Sequence, residues 1–172
     1  MTTKLLIATH NAGKLKEFAA FFEGTPLKLV SLSDLDVRED VDETGTTYAE
    51  NASLKATTYA RLTGLYTLAD DSGLEVDGLD GEPGLRSARY AGEDADNNHR
   101  IAFLFQKLNN VPRELWTARF RCVIAVVESG GTAVTQAEGS VDGMIQYSPQ
   151  GVDGFGYDPV FFYPNLDKTF AE

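Results

Sequence analysis

Apolar positions along the chain switch between two periods. "KLLIAT" (Lys4 to Thr9) is a short apolar run of the kind a buried strand shows. Leu15, Phe18, Ala19 and Phe22 follow at i, i+3, i+4 and i+7, the spacing of one helix face. "LKLVSL" (Leu27 to Leu32) reads as the next strand. A polar loop carrying Glu39, Asp40, Asp42 and Glu43 then leads into "TTYAENASLKATTYARLTG", a helix that Thr46 or Thr47 can cap and Gly64 can end. Within it Ala49, Ala52, Ala56 and Tyr59 form a stripe that can pack inward, while Asn51 and Lys55, at i and i+4, share another face. "YTLAD" is expected to be a third strand that delivers Asp70 and Asp71 at its carboxyl end, where Ser72 and Gly73 suit a turn.

Ile101, Leu104, Phe105 and Leu108 predict a third helix. "TARFRCVIAVVES" alternates and then becomes continuously apolar, Gly130 and Gly131 can turn it, and "TAVTQAEGSV" can return as an antiparallel partner. Strands alternating with helices, then a strand-rich last third, give one α/β domain with two lobes. A chain of 172 residues suits that count and can bury roughly 70% of its unfolded surface. Internal repeats, low-complexity tracts and long Pro/Gly/Ser linkers do not interrupt it.

A formal net charge of −11 changes the picture for partners, because a field of that sign repels polyanions and excludes nucleic acid as the expected partner. A phosphate compound would have to be met by a few placed lysines and by a cation held through carboxylates. Cys122 is the only cysteine, so neither an intrachain disulfide nor a thiolate metal cluster can be built, and its apolar surroundings suit a buried, inert thiol. The N-terminus lacks the features of a secretory signal, and no apolar run approaches the ~18 residues of a membrane span. A cytoplasmic protein without membrane contact is the expectation.

Four segments could carry chemistry. "THNAGK", Thr9 to Lys14, lies between a strand and a helix start, where free backbone N–H groups and the helix dipole favour an anion. Thr9, Asn11 and Lys14 add side-chain donors, His10 reads as a turn residue, and the same letters also suit a small polar turn that caps a helix. Lys55 is the second candidate cation, on a helix face that is more usually solvated. Glu43, before one helix, and Asp70 with Asp71, after one strand, are candidates for a hard ion such as magnesium, which is commonly held by one or two carboxylates plus substrate phosphate oxygens. The bland alternatives are a solvated acidic loop for Glu43 and a plain turn for the paired acids. "GVDGFGYDP", Gly151 to Pro159, places glycines around Phe155 and Tyr157 and ends in Asp158, which suits either a pocket for a flat base or a loop with an aromatic plug.

"THNAGK", "ETGTTYAENASLKA", "ADDSGLEVDGLDGEPGLRSARYAGEDA" and "GFGYDPVFF", in that order across nearly the whole chain, resemble the inosine triphosphate pyrophosphatase family. Its members hydrolyse noncanonical purine nucleoside triphosphates (ITP, dITP, XTP) to the monophosphate and pyrophosphate, a nucleotide-pool house-cleaning role. The resemblance implies a mixed, elongated central sheet with flanking helices, two lobes around a central cleft, a homodimer, and Mg2+ as cofactor. It places phosphate contacts on the turn from Thr9 through His10, Asn11, Ala12 and Gly13 to Lys14, with Lys55 and Ser72 as further contacts. Glu43 and Asp71 match the metal ligands, Asp71 also matches the proton acceptor, and Asp70 supports them. Phe155, Gly156, Tyr157 and Asp158 fall where the family encloses the base.

The family continues past a segment like "KTFAE" into a final helix whose Ser-His-Arg motif reads the purine 6-oxygen; this sequence ends at Glu172 and is expected to lack it. A regulatory protein that binds a nucleotide without hydrolysing it is the competing expectation. Asp71, Glu43, Lys14 and Lys55 together favour hydrolysis, because a pure binder needs no aligned base.

Overall fold

The computed structural model describes residues 3–131 and 133–172. The elements run β1 (Thr3–Ile7), α1 (Ala12–Phe21), β2 (Leu27–Ser31), α2 (Tyr48–Thr63), β3 (Tyr66–Val76), α3 (Asn97–Leu108), β4 (Thr117–Val127), β5 (Ala133–Ile145), β6 (Phe161–Tyr163) and β7 (Lys168–Thr169), with short 3-10 turns between them. The strands form one seven-stranded sheet in the order β2-β1-β3-β4-β5-β6-β7. The sheet is mixed: β1 is parallel to both β2 and β3, whereas β6 is antiparallel to β5 and β7. The β4–β5 return is present as hydrogen-bonded neighbours, and Gly130 and Gly131, at φ +98° and +86°, make the turn. Thr132, the first residue of the expected return strand, lies outside the described residues.

The chain divides into two compact units, one running through Asp71 and including Val123–Glu138, the other comprising Ser72–Cys122 and Gly139–Glu172. In the first unit β1 begins with exposed Thr3 and Lys4 and is apolar from Leu5 to Ile7, where both of its faces are covered. Leu5 and Ile7 join Leu68 and Phe18 of α1 in one core cluster, while Leu6, fully buried, points the other way. The α2 stripe is buried as expected at Ala52, Ala56 and Tyr59, with Tyr48 and Ala60 extending it and Ala49 half-buried. Thr47 is the cap, accepting the Glu50 N–H, and Gly64 ends the helix in the left-handed conformation.

In the second unit Leu74, Val76, Ile101, Leu104, Leu108, Trp116 and Phe161 form the core, and the rings of Phe120, Phe161 and Phe170 pack against one another, Phe120 stacked on Phe170 and Phe161 edge-on to Phe170. Apart from that core, Arg119 of β4 pairs with Asp77 at 2.7 Å and reaches Asp142 at 3.4 Å, and both Arg119 and Arg121 approach Glu75 at 3.6 Å. Cys122 is half-buried rather than enclosed.

The main departure from expectation is β3. It does not stop at Asp71, and Ser72 and Gly73 make no turn: the strand continues without a break to Val76. Leu74 and Val76 are fully buried, and their burial holds Asp-Ser-Gly, a composition that alone favours a turn, in extended backbone.

Candidate active site

The continuation of β3 decides what the paired acids can do. Successive side chains of a strand point to opposite faces. Asp70 shares its parity with Leu68 and meets α1, where Lys14 Nζ lies 2.5 Å from its Oδ2. Asp71 meets α2, where Asn51 Nδ2 donates to its Oδ2 at 3.0 Å. Two adjacent like charges are thereby separated, and each receives its own donor. They are among the few buried charged groups, at 3% and 5% exposure.

The turn before α1 is built as a cap. Asn11 Oδ1 accepts the Gly13 N–H at 2.8 Å and the Lys14 N–H at 3.2 Å, and Thr9 Oγ1 accepts the Asn11 N–H. The expected cradle of free N–H groups is corrected accordingly: two of them are satisfied by Asn11, whose amide NH2 is the half that can still serve a ligand. Ala12 begins the helix, and the cap fixes where Lys14 leaves it. His10 is exposed, its Nε2 3.5 Å from the Glu39 carbonyl. Tyr59 donates to the same carbonyl at 2.8 Å, tying the acidic loop to α2.

Glu43, on that loop, is joined to α2 by a 2.7 Å ion pair between its Oε1 and Lys55 Nζ, with side chains 24% and 13% exposed. Glu43 also lies close enough to Asp71 to raise its proton affinity. Burial raises the Asp71 carboxyl above its ordinary range most strongly; Lys55, the Asn51 hydrogen bond and Lys14 pull it down. Glu43, Lys55, Asn51, Asp71, Asp70 and Lys14 therefore form one electrostatic cluster within the first unit. Ser72 follows in the same strand, half-buried.

Sequence reasoning gave Asn51 only a shared face with Lys55, and did not single out Glu17. Asn51 stands on the buried stripe of α2, and a polar residue among apolar neighbours must find a partner. That signal was available. Glu17, one turn along α1 from Lys14, has its proton affinity raised by partial burial, then by Asp70, and lowered by Lys14. Its spacing of three from Lys14 was visible, but not the approach of Asp70.

The "GVDGFGYDP" segment belongs to the second unit. Asp158 Oδ2 accepts the Phe155 N–H at 2.8 Å, closing the loop, and Gly156 holds φ +63°. Gly154 leaves no room for a side chain against the Asp158 carboxylate. Tyr157 is buried in the core, its hydroxyl donating to the Ser87 carbonyl at 3.1 Å, and burial pushes its phenol up to about 12. It anchors the loop, and Phe155, partly exposed, is the aromatic that can meet a flat ligand.

The cluster's polar groups are carboxylates, ammonium groups and one amide, without His or Cys. Among the described residues no three His, Cys, Asp or Glu side chains gather as a metal cluster. Two carboxylates, Glu43 and Asp71, suit a hard ion that takes its remaining ligands from water and phosphate, and do not suit zinc or a transition metal.

The sequence model of the Ham1 family matches residues 5–172. The chain belongs to the Ham1 family. It is 49% identical over 170 residues to the dITP/XTP pyrophosphatase of Geobacter sulfurreducens, covering 99% of this chain and 85% of that one. It is 51% identical to the dITP/XTP pyrophosphatase of Geobacillus kaustophilus, covering 98% and 82%. Among solved structures, a HAM1 protein from Coxiella burnetii superposes with a TM-score of 0.88 at 37% identity, covering 99% of this chain and 86% of that one. Ham1 proteins thus share this chain's mixed α/β architecture as well as its sequence.

Proposed function

We propose that this Ham1 family chain hydrolyses noncanonical purine nucleoside triphosphates of the ITP, dITP and XTP type to the monophosphate and pyrophosphate. The observation that carries the reading is Asp71: a buried carboxylate with raised proton affinity, set between Asn51 and the Lys55–Glu43 pair, with Lys14 and Asp70 beside it. The names of the curated relatives supply the substrate class.

Phosphoryl chemistry of this kind needs positioning and charge neutralisation more than covalent catalysis. Lys14 and Lys55, released from Asp70 and Glu43, carry the cations toward the triphosphate. Asp71 takes the proton from the attacking water, whose oxygen bonds to the α-phosphorus as the bond to the bridging oxygen breaks and pyrophosphate leaves. Glu43 and Asp71 would hold Mg2+, which when bound supplies charge neutralisation on the phosphate oxygens. The family resemblance gives Phe155 the role of meeting the base, which an aromatic face suits.

A homodimer and a cytoplasmic location accompany this reading on the strength of the family resemblance; no helix among the described residues is long and apolar enough to cross a membrane. The test is product identification with a panel of triphosphates, with and without Mg2+. Pyrophosphate from dITP and XTP is expected. Orthophosphate as the first product, or bound nucleotide recovered intact, would overturn it.

A further inference from the structure

Asn51 is 1% exposed and both halves of its amide are occupied by groups of the candidate site. Its Oδ1 accepts the Gly45 N–H at 2.8 Å, and its Nδ2 donates to Asp71 Oδ2 at 3.0 Å. The backbone N–H can only donate, so the oxygen and nitrogen of the amide are fixed by chemistry, and the NH2 must face the carboxylate. Gly45 lies two residues after Glu43. The adjoining residue is fastened to the same helix turn, because Glu50 Oε2 accepts both the Thr46 N–H at 2.6 Å and the Thr46 hydroxyl at 2.9 Å. A Cβ on Gly45 would stand 2.6 Å from Asn51 Oδ1 and 2.7 Å from Glu50 Cβ, so the loop approaches the helix as closely as glycine alone permits.

We infer that Asn51 is a positioning residue for hydrolysis: its amide couples the loop that carries Glu43 to the carboxylate of Asp71, and so fixes the two acids relative to each other. The inference deepens the function proposed above and rests on it. Lys55, one turn further along α2, pairs with Glu43, so the loop is held to a single helix face by a backbone contact through Asn51 and by an ion pair through Lys55. An aspartate at position 51 would keep the shape and the Gly45 contact, but would set a carboxylate oxygen against Asp71 where a donor had been. Placing asparagine at 71 as well reverses donor and acceptor, and the contact is restored with both charges accounted for.

The test compares Asn51→Asp, Asp71→Asn and the swapped double variant. Melting temperature is measured in metal-free buffer, and kcat and KM for dITP are measured at saturating Mg2+. Asn51→Asp is expected to lower the melting temperature and to reduce kcat about 100-fold, the size of effect that a small misplacement of a reacting group produces, with KM within about threefold of the parent. The swapped variant should melt within about a degree of Asp71→Asn, and its turnover should be no lower than that of Asp71→Asn alone. An Asn51→Asp enzyme with the parent's kcat would overturn the inference. So would a full additional loss when Asn51→Asp is placed on Asp71→Asn, or a swapped variant that melts as low as Asn51→Asp. If Asn51→Asp does not fold, the swapped variant decides: folding supports the coupling and failure refutes it. Asp71→Asn measured alone reports separately on the assignment of Asp71, since parental turnover there would remove the catalytic reading while the melting comparison still reads the Asn51 contact.

Discussion

In the unit that runs through Asp71, two carboxylates are buried and a third is half-buried, and each meets a dedicated donor: Lys14 on Asp70, Asn51 on Asp71, Lys55 on Glu43. In the unit that begins at Ser72, the charged network of Asp77, Arg119, Arg121 and Asp142 around the half-buried Glu75 lies nearer solvent, with the Arg119 side chain 36% exposed and Asp142 85% exposed. Taking a charge out of water is expensive and is offset only by good geometry, whereas an exposed pair costs and contributes little. A chain that needed only to fold could have kept all its acids in the second arrangement. Concentrating buried charge at one place marks that place as the one where chemistry, rather than stability, sets the residues.

The largest way to sharpen this contrast is Asp71→Asn. Turnover should fall by roughly 10²–10⁴, the contribution of a positioned general base. Its melting temperature should hold or rise, because burial already disfavours the ionised form and the asparagine oxygen can still accept from Asn51. Thermal melting beside steady-state rates checks both halves. Next comes Lys14→Ala, which strands Asp70 as a buried, unpaired carboxylate; a loss of about 3–5 kcal/mol by chemical denaturation is expected along with weakened turnover.

Leu104→Ala, in the core of the second unit, should cost about 2–5 kcal/mol of stability while the folded fraction keeps its kcat. A large drop in kcat there would break the division between the two regions. The smallest effect belongs to Thr117→Val. The Thr117 hydroxyl donates to Asp77 at 2.6 Å and, with Arg119, holds that carboxyl below its ordinary range. A depressed folded value means the stabilisation is complete above the ordinary carboxylate pKa and is lost as pH falls through the folded one. The difference in stability between parent and Thr117→Val should therefore be present at neutral pH and close on acidification, as urea unfolding at several pH values would show.

Much of the fold was legible because its signals are local. Thr47 and Gly64 bound α2 through cap chemistry, and Ile101, Leu104 and Leu108 place α3 by their spacing. Local signals end β3 too early because Asp-Ser-Gly carries a turn preference that burial of Leu74 and Val76 overrides, and that burial comes from residues distant in sequence. At the site, residue types were readable but partners were not. Lys14 and Asp70 are 56 residues apart, and which face each of two adjacent aspartates takes depends on the strand continuing through them. The segment around Phe155 and Tyr157 suits either a base pocket or a loop with an aromatic plug, and only the hydrogen bond of Tyr157 to Ser87 shows that this ring anchors the loop.

Hydrolysis of dITP in heavy-oxygen water tests the central claim most directly, by mass analysis of both products after a single turnover. If Asp71 and its neighbours direct water at the innermost phosphorus, the label appears in the nucleoside monophosphate and the pyrophosphate carries none. Label in pyrophosphate, or in orthophosphate released first, would contradict it.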